Sequence, residues 1–239
     1  MSQITEETFL KDVAKHEMKV LLDNGLYRHL RFSATGKHLW NQWYDIITWP
    51  GRLAYTGDMG TYVFARLEDM FEFFRTRPSE SRNLYINTGY WGEKLEAVDR
   101  RGKACDFMEF SPELLKGYVE DAIKDWVEGF PVEFESDEAE ESEAKKKFEA
   151  ELREAIEGDI YSYLDDGEHE ARRALNDFSF TPEVGRFAPN PRPYEFSDTW
   201  EWDCQEYTGR FVWCCYALAW GIQQYDALKA EATEPEVAA

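Results

Sequence analysis

The sequence predicts an α+β protein in which an antiparallel β-sheet meander packs on helices and carries an acidic helical insertion. Short apolar runs separated by turn signals fill residues 19–66, and consecutive strands joined by short turns form antiparallel sheets. Residues 111–178 place apolar side chains at helical spacing among many acidic ones. Residues 211–222 are apolar nearly all round, which is typical of a helix in the core.

Length and composition limit the class of protein. The 239 residues suffice for one large domain or two small ones with a buried core. Hydrophobic residues make up 43% and aromatic residues 16%, a composition that excludes a disordered chain. The longest apolar run has 12 residues, fewer than the roughly 18–20 that a membrane span needs. The N-terminus lacks the signature of a signal peptide, so we expect the cytoplasm of the cell that makes the protein.

The first half of the chain predicts two helices and five strands, followed over 76–110 by a loop with at most one short strand. Thr5 suits an N-cap, Glu6 and Glu7 suit the first turn, and Ile4 and Phe9 form a hydrophobic staple. A short helix is predicted over 67–75. The predicted strands are 19–22, 26–32, 43–49, 52–56 and 61–66.

Two turns have specific signatures. Asn24-Gly25 between apolar runs predicts a type I′ hairpin turn, which needs a positive φ at both central residues. Pro50-Gly51 predicts a type II turn, with proline fixing its own φ and glycine taking the positive φ.

The second half predicts helices and an extended segment. Ser111-Pro112 is a helix start, and Gly129 ends that helix. Further helices are predicted over 144–156 and 168–178, a short strand at Trp200–Trp202, and a core helix over 208–228. The predicted organisation is 1–110 as a mainly β part with the N-terminal helix, 111–178 as the acidic helical part, 179–230 as an extended segment and core helix completing the same domain, and 231–239 as a disordered tail.

Negative charge is concentrated in one part of the chain. The formal net charge is −21, and residues 111–177 hold 22 acidic against 8 basic residues. Such a field repels nucleic acids and anionic membranes and attracts basic surfaces. Helical carboxylates can also imitate the phosphate spacing of DNA. The candidate partner-binding residues are Glu133, Glu135, Asp137, Glu138, Glu140, Glu141, Glu143, Asp159, Asp165 and Asp166. A solvated helix face or a flexible loop is the other interpretation, because acidic runs are usually one of these. The binding surface is favoured because Asp159, Asp165 and Asp166 extend the charge beyond one run and we expect no basic residues to offset it.

Aromatic residues of the predicted sheet offer a second candidate site. Both faces of the strand 43–49 carry apolar groups, so one face is expected to lie under a helix while the other is available to a ligand. Exposed aromatic and basic side chains can stack on nucleobases. Packing in the core is the alternative for the same side chains. The candidate ligand-binding residues, for a nucleotide or another small molecule, are Trp43, Trp49, Tyr62, Arg52, Arg66 and Asp58.

Catalytic and metal-binding signals are weak. Asp45, Asp58 and Asp69 are the carboxylates nearest the sheet and could serve a metal-dependent nuclease, although Asp58 between glycines also suits a turn. The chain has no Gly-x-Ser-x-Gly, P-loop or His-Glu-x-x-His motif, so an enzyme is the less favoured class. The four histidines are scattered, which predicts neither a metal site nor a cofactor. Four residues are predicted as buried free thiols: Cys105, Cys204, Cys214 and Cys215.

Two stretches carry a family resemblance. One is 40–75, with Ile46-Ile47-Thr48-Trp49-Pro50-Gly51 and Gly57-Asp58-Met59-Gly60-Thr61-Tyr62-Val63-Phe64, and the other is 211–226, with Trp220-Gly221-Ile222-Gln223-Gln224-Tyr225. They resemble an uncharacterised family of accessory proteins encoded by temperate phages and prophages. The resemblance covers roughly a quarter of the chain, brings no catalytic residue, and implies a role in phage biology.

Resemblance and charge together predict a phage-encoded inhibitor. It would bind a host nucleic-acid-binding defence protein, of the CRISPR-effector or restriction type, as an acidic DNA mimic with anti-CRISPR or related anti-defence activity. The partner would be a basic host protein. We expect no direct binding to nucleic acid or membranes, and a homodimer remains an open alternative.

Overall fold

The chain divides into two compact units. The computed structural model describes residues 4–35, 41–75, 84–98, 107–131, 138–182 and 192–233. The sheet unit comprises Met1–Glu109 and Tyr207–Ala239, and the acidic unit comprises Phe110–Glu206. Residues 179–206, which the sequence grouped with the last helix, therefore lie in the acidic unit.

A six-stranded antiparallel sheet forms the centre of the sheet unit. Its strands are β1 (His16–Asn24), β2 (Tyr27–Ala34), β3 (Tyr44–Trp49), β4 (Arg52–Gly57), β5 (Gly60–Ala65) and β6 (Leu95–Val98). Their order in the sheet is their order in the chain, and every neighbouring pair is antiparallel. The predicted α+β fold with a meander sheet is confirmed. The last strand lies within 76–110, where the sequence indicates a loop with at most one short strand, since too few alternating apolar residues locate its bounds.

The two hairpin turns differ in how well the sequence predicted them. Gly51 has φ +81° between β3 and β4, as the predicted type II turn requires. Gly25 has φ +64°, but Asn24 is still paired with Tyr27 at the end of β1. Glycine thus occupies the first central position, as in a type II′ turn, and the type I′ prediction was wrong. A turn in which only glycine takes a positive φ costs less free energy than a turn in which asparagine takes one as well.

The last helix is the core element of the sheet unit, as predicted. Helix α7 spans Gly209–Thr233, and nine of its side chains are buried: Phe211, Trp213, Cys214, Cys215, Ala217, Leu218, Ala219, Ile222 and Tyr225. They pack on the sheet residues Phe32, Tyr44, Ile46, Tyr55 and Tyr62. The helix continues to Thr233, so residues 231–233 are not disordered, and the rest of the predicted tail lies outside the described residues.

Three short helices accompany α7 in the sheet unit. They are α1 (Glu6–Asp12), α2 (Met70–Phe74) and α3 (Thr88–Gly92), and each contacts α7. Thr5 caps α1 in a capping box with Thr8, which confirms the predicted start of that helix. Asp69 caps α2 by accepting a hydrogen bond from the Phe71 amide. Helix α3 was not predicted from the sequence.

The acidic unit contains three helices around its own apolar core. They are α4 (Pro112–Glu128), α5 (Glu138–Asp159) and α6 (Glu168–Asp177), with a 3₁₀ turn at Tyr161–Asp166. Ser111 caps α4 and proline occupies its first turn, as predicted. The core comprises Leu115, Val119, Ile123, Phe148, Leu152, Ile156, Ile160, Leu164, Ala171, Leu175, Phe178 and Cys204.

The segment around Trp200 is not the strand that the sequence predicted. Thr199–Glu201 forms a 3₁₀ turn, and the strand lies further on at Gln205–Tyr207, paired with Met108–Phe110. Alternation of tryptophan and acidic residues over four positions fits a strand and a single tight turn equally well, because both place neighbouring side chains on different sides.

Candidate functional site

When the charged residues are divided between the two units, the uneven charge of the sequence becomes more pronounced. The acidic unit holds 28 acidic and 10 basic residues, a net charge of −18, within 97 residues. The sheet unit holds 20 acidic and 17 basic residues, a net charge of −3. Nearly the whole excess charge is thus carried by one compact unit with its own apolar core. That unit is the part of the chain whose electrostatic field can act on a partner.

The predicted partner-binding acids fall into two groups rather than one patch. Glu138, Glu140, Glu141 and Glu143 lie in the first two turns of α5. Asp159 ends the same helix, and Asp165 and Asp166 lie in the 3₁₀ turn beyond it. Helix α5 has 22 residues, a length of about 33 Å, which separates the two groups. Glu133, Glu135 and Asp137 lie outside the described residues.

Basic residues offset part of this charge, contrary to the expectation from the sequence. Lys145 Nζ lies 3.0 Å from Glu141, one of the predicted site residues. Arg153 donates to Glu149 on its own helix and to Glu120 on α4, each at 2.8 Å. These two carboxylates raise the pKa of Arg153 above its ordinary value. The middle of α5 is therefore close to electrically balanced.

Other carboxylates of the acidic unit have no ion pair within the described part of the chain. Five of them are exposed at the C-terminal end of α5 and in the turn that follows it: Glu154, Glu157, Asp159, Asp165 and Asp166. Exposed carboxylates that are not held in an ion pair keep their charge available to a partner, so this end of α5 is the stronger half of the predicted surface.

An open cleft runs between α4 and α5. Its volume is about 290 Å³, and Ile123 and Val127 form part of its lining. Glu120, Glu128 and Glu149 contribute carboxylates to the same cleft. Lys124 and Arg153 also line the cleft, and Arg153 pairs with Glu120 and Glu149, so two of its carboxylates are already neutralised within the unit.

The aromatic sheet residues are divided between its two faces. Tyr44, Tyr55 and Tyr62 lie under α7 and are at most 1% exposed. Core packing, the alternative interpretation, therefore holds for these three, and Tyr62 cannot contact a ligand. Trp43 and Trp49 are half-buried on the opposite, open face of the sheet. Arg31 lies over the ring of Trp43, with 5.6 Å between its guanidinium carbon and the ring centroid.

The predicted ligand-binding residues do not converge. Arg52 begins β4 and pairs with Glu96 at 2.7 Å. Asp58 follows the other end of β4 and accepts a hydrogen bond from the Gln42 amide at 3.1 Å. Six strand positions separate Arg52 from Asp58, about 20 Å. Arg66 is exposed after the end of β5, so these residues share no pocket.

The sheet carboxylates that could have served catalysis are engaged in ion pairs. Asp45, 4% exposed, accepts two hydrogen bonds of 2.8 Å from Arg31 and lies 3.0 Å from His29 Nε2. Burial alone would raise the pKa of Asp45, but the hydrogen bonds from Arg31 and His29 outweigh it and lower the pKa. Asp69 is likewise held by two hydrogen bonds from Arg28. Among the residues described, no group of three His, Cys, Asp or Glu side chains is placed to hold a metal ion.

Comparisons with known proteins give no further guide. No protein-family model, no curated protein and no solved structure matches this chain. In the described part of the chain, no helix combines the length and apolar character needed to cross a bilayer.

One exposed aromatic residue was not recognised as a candidate from the sequence. Trp200 of the acidic unit is 75% exposed, the largest exposed fraction among the large hydrophobic side chains described. It stands beside Asp198 and Glu201. The available signal was the Trp200-Glu201-Trp202-Asp203 pattern, which alternation led us to assign to a strand rather than to a surface.

Proposed function

We propose that this chain is a binding protein whose acidic unit docks on a basic surface of another protein and inhibits that protein by covering the surface. The net charge of −18 on one compact unit carries the proposal. A rigid apolar core holds the helices that display this charge, so the field has a fixed shape. Complementary charge of this kind accelerates association and excludes acidic partners.

The partner class follows from the sign of the charge. Proteins that bind nucleic acids collect lysine and arginine on the surface that neutralises phosphates. An acidic protein can occupy that surface, whereas it repels the nucleic acid itself. The resemblance to phage accessory proteins supports a host defence protein of the CRISPR-effector or restriction type as the specific partner.

The spacing of phosphates along DNA favours a binding surface formed by two helices rather than by one. A DNA strand carries one phosphate for about every 3.4 Å of axis. One helix repeats a given face only about every 5.4 Å, so a single helix is less densely charged than DNA. Helices α4 and α5 are joined by the ion pair of Arg153 with Glu120 and by the ring contact of Phe130 with Phe148 at 4.3 Å. Acids of both helices line the cleft between them, so a partner there meets carboxylates from two helices rather than one.

The test uses the immobilised chain, a lysate of the bacterial host and elution in steps of rising salt. A captured basic nucleic-acid-binding protein that elutes at moderate salt is the expected result, because exposed charge pairs are screened. Its binding should fall when three exposed acids of α5 are reversed: Glu154→Lys, Glu157→Lys and Asp159→Lys.

The matched control carries the same change of charge on the sheet unit. Its three substitutions affect exposed acids without an ion pair in the described part of the chain: Glu17→Lys, Glu68→Lys and Glu72→Lys. The control should retain capture. If both variants lose capture of the partner equally, only the net charge of the chain matters and no specific surface is involved. Unchanged capture by the α5 variant would contradict docking through this part of the acidic unit.

A further inference from the structure

The Trp200 loop, residues 198–204, presents an indole ring to solvent. Thr199 before the ring is 5% exposed, and Trp202 after it is half-buried. Trp202 stacks on Tyr118 of α4, with 5.1 Å between ring centroids and 12° between planes. The residues on both sides of Trp200 thus pack on the acidic unit, and the indole between them points outward.

Arg172 of α6 fixes the backbone of this loop on either side of Trp200. Its guanidinium donates to the carbonyl oxygen of Thr199 at 2.9 Å and to that of Trp202 at 3.0 Å. Its third bond, 2.8 Å, goes to Glu168, which also accepts a 2.7 Å hydrogen bond from the Gln205 side chain. Every donor group of Arg172 is therefore used within the unit.

Two further hydrogen bonds restrain the same loop. The Thr199 hydroxyl donates to the Asn176 side chain at 2.7 Å. The carbonyl oxygen of Cys204 accepts from the Ser111 amide at 2.8 Å. Asp198 has φ +53°, in the left-handed region that aspartate adopts more readily than most other non-glycine residues. A loop held this firmly loses little conformational entropy when a partner binds.

The charged residues of the loop itself are all acidic, and Arg172, which contacts the loop from α6, is paired with Glu168. Residues 193–209 contain no lysine, arginine or histidine. Asp198, Glu201 and Asp203 are exposed. Neither Asp198 nor Glu201 has a hydrogen bond or ion pair through its side chain within the described residues, and Asp203 accepts one from the Gln205 amide at 3.2 Å. An exposed tryptophan within three residues of three exposed carboxylates favours a cation above its ring.

We propose that Trp200 with Asp198, Glu201 and Asp203 forms the docking site for an arginine side chain of the protein partner. The proposal rests on the proposed function and assigns its central contact. Arginine fits better than lysine, because a planar guanidinium stacks on an indole and still donates to carboxylates at its edges. Nucleobases also stack on tryptophan, but the charge of the unit opposes a phosphate backbone.

The exposed position of Trp200 suits a residue that contributes much of the binding energy of an interface. Tryptophan and arginine are the residues most enriched where truncation costs the most binding energy. Tyr118 and Leu114 on α4 are 37% and 40% exposed, and Trp202 stacks on Tyr118. Through Trp202 the loop thus adjoins a partly exposed aromatic side chain of α4, the kind of surrounding that an interface centre has.

The test titrates the full chain with an octa-arginine peptide and an octa-lysine peptide by isothermal calorimetry at moderate salt. Trp200→Ala should weaken octa-arginine binding by about three- to thirtyfold, the range of a desolvated cation–π contact. Trp200→Phe should recover part of the loss, and octa-lysine should bind more weakly and lose less. The Trp200 indole N–H resonance should shift during the arginine titration.

Two triple variants, each of which removes three negative charges, distinguish a local binding site from a general electrostatic attraction to the acidic unit. The loop variant is Asp198→Asn, Glu201→Gln and Asp203→Asn, and the α5 variant is Glu154→Gln, Glu157→Gln and Asp159→Asn. The loop variant should lose several times more octa-arginine affinity than the α5 variant.

Equal losses in the two triple variants, or an unchanged affinity of Trp200→Ala, would overturn the docking site and leave the proposed function standing. Titration with a single-stranded oligonucleotide tests the other possible occupant, a nucleobase stacked on Trp200. Oligonucleotide binding that depends on Trp200 would overturn the assignment to an arginine. Failure of both peptides and of any basic partner to bind would contradict the proposed function itself.

Discussion

Gly221 of α7 lies directly against Ile46 of β3. A Cβ atom added to Gly221 would approach the Ile46 Cδ1 to 2.8 Å and the Phe32 Cζ to 3.0 Å. Both neighbours are fully buried ring or methyl groups of the sheet. Glycine at this position is therefore what lets the core helix approach the sheet so closely.

Gly221→Ala should destabilise the protein by about 1–3 kcal/mol, since overpacking a filled core forces side chains from their preferred rotamers. The effect runs against helix propensity, which favours alanine over glycine by roughly 0.5–1 kcal/mol in a helix interior. Gly117→Ala in α4 is the control, because a Cβ atom there meets nothing within 4 Å. Denaturant unfolding should show a loss for Gly221→Ala and a gain for Gly117→Ala, and a gain for both would refute the close packing.

Asp45 should make stability depend on pH. Its pKa is lowered in the folded protein, so the carboxylate stabilises the fold above its unfolded pKa of about 3.9 and ceases to do so as pH falls through the folded pKa. Asp45→Asn should cost about 1–3 kcal/mol at pH 7, where Arg31 and His29 lose a charged acceptor.

The difference in unfolding free energy between the wild type and Asp45→Asn should begin to shrink below about pH 4, where Asp45 becomes protonated in the unfolded state, and should lose its charge-dependent part as pH falls through the lower folded pKa. Unfolding at pH 7 and at pH 3 checks this. A difference that stays constant over this range would show that the lost packing of the side chain, rather than its charge, decides the effect.

Arg172 should control the order of the Trp200 loop. Arg172→Ala removes three charged hydrogen bonds and should destabilise the acidic unit by about 2–3 kcal/mol. Amide hydrogen exchange of residues 199–204 should accelerate, since local opening becomes easier.

Arg173→Ala on the same helix provides the comparison. Arg173 is 57% exposed and forms a single ion pair with Glu170 at 2.8 Å. An exposed pair of this kind contributes about 0–1 kcal/mol, so exchange in the Trp200 loop should be unaffected. If both variants accelerate exchange equally, Arg172 has no special role in holding the loop.

The thiols of Cys204, Cys214 and Cys215 should be unreactive in the native state. All three are free and buried, and burial raises the pKa of Cys214 and Cys215 well above its ordinary value. In a Cys105→Ser background, a thiol reagent at pH 8 should label no cysteine rapidly and all three after denaturation. Rapid native-state labelling of any of them would contradict the packing described for that residue.

Local chemical signals predicted several elements well. The cap at Thr5, the turn at Pro50-Gly51 and the start of α4 at Ser111 depend on backbone groups a few residues away, and all three are confirmed. Ion pairs four residues apart, such as Glu141 with Lys145, could also have been predicted from spacing. The contact of Arg153 with Glu120 could not, since 33 residues separate them.

Elements that depend on distant partners were missed or misassigned. Strand β6 has only four residues and is a strand because it pairs with β5. The Trp200 loop is a turn because Arg172, 27 residues before Thr199, binds its carbonyl groups. Periodicity carries no information about either partner, so no local pattern could have distinguished these outcomes.

The sequence by itself determined the fold class, the meander of β1 to β5, the core helix α7 and the concentration of charge in the second half of the chain. These follow from turn chemistry, apolar periodicity and composition, all of which act over short stretches. Only the tertiary structure decided which face of the sheet each aromatic residue takes, which acids are neutralised by bases, and that Trp200 stands exposed among carboxylates. Those outcomes depend on which distant groups meet, and contacts between distant groups are set by packing of the whole unit rather than by neighbouring residues.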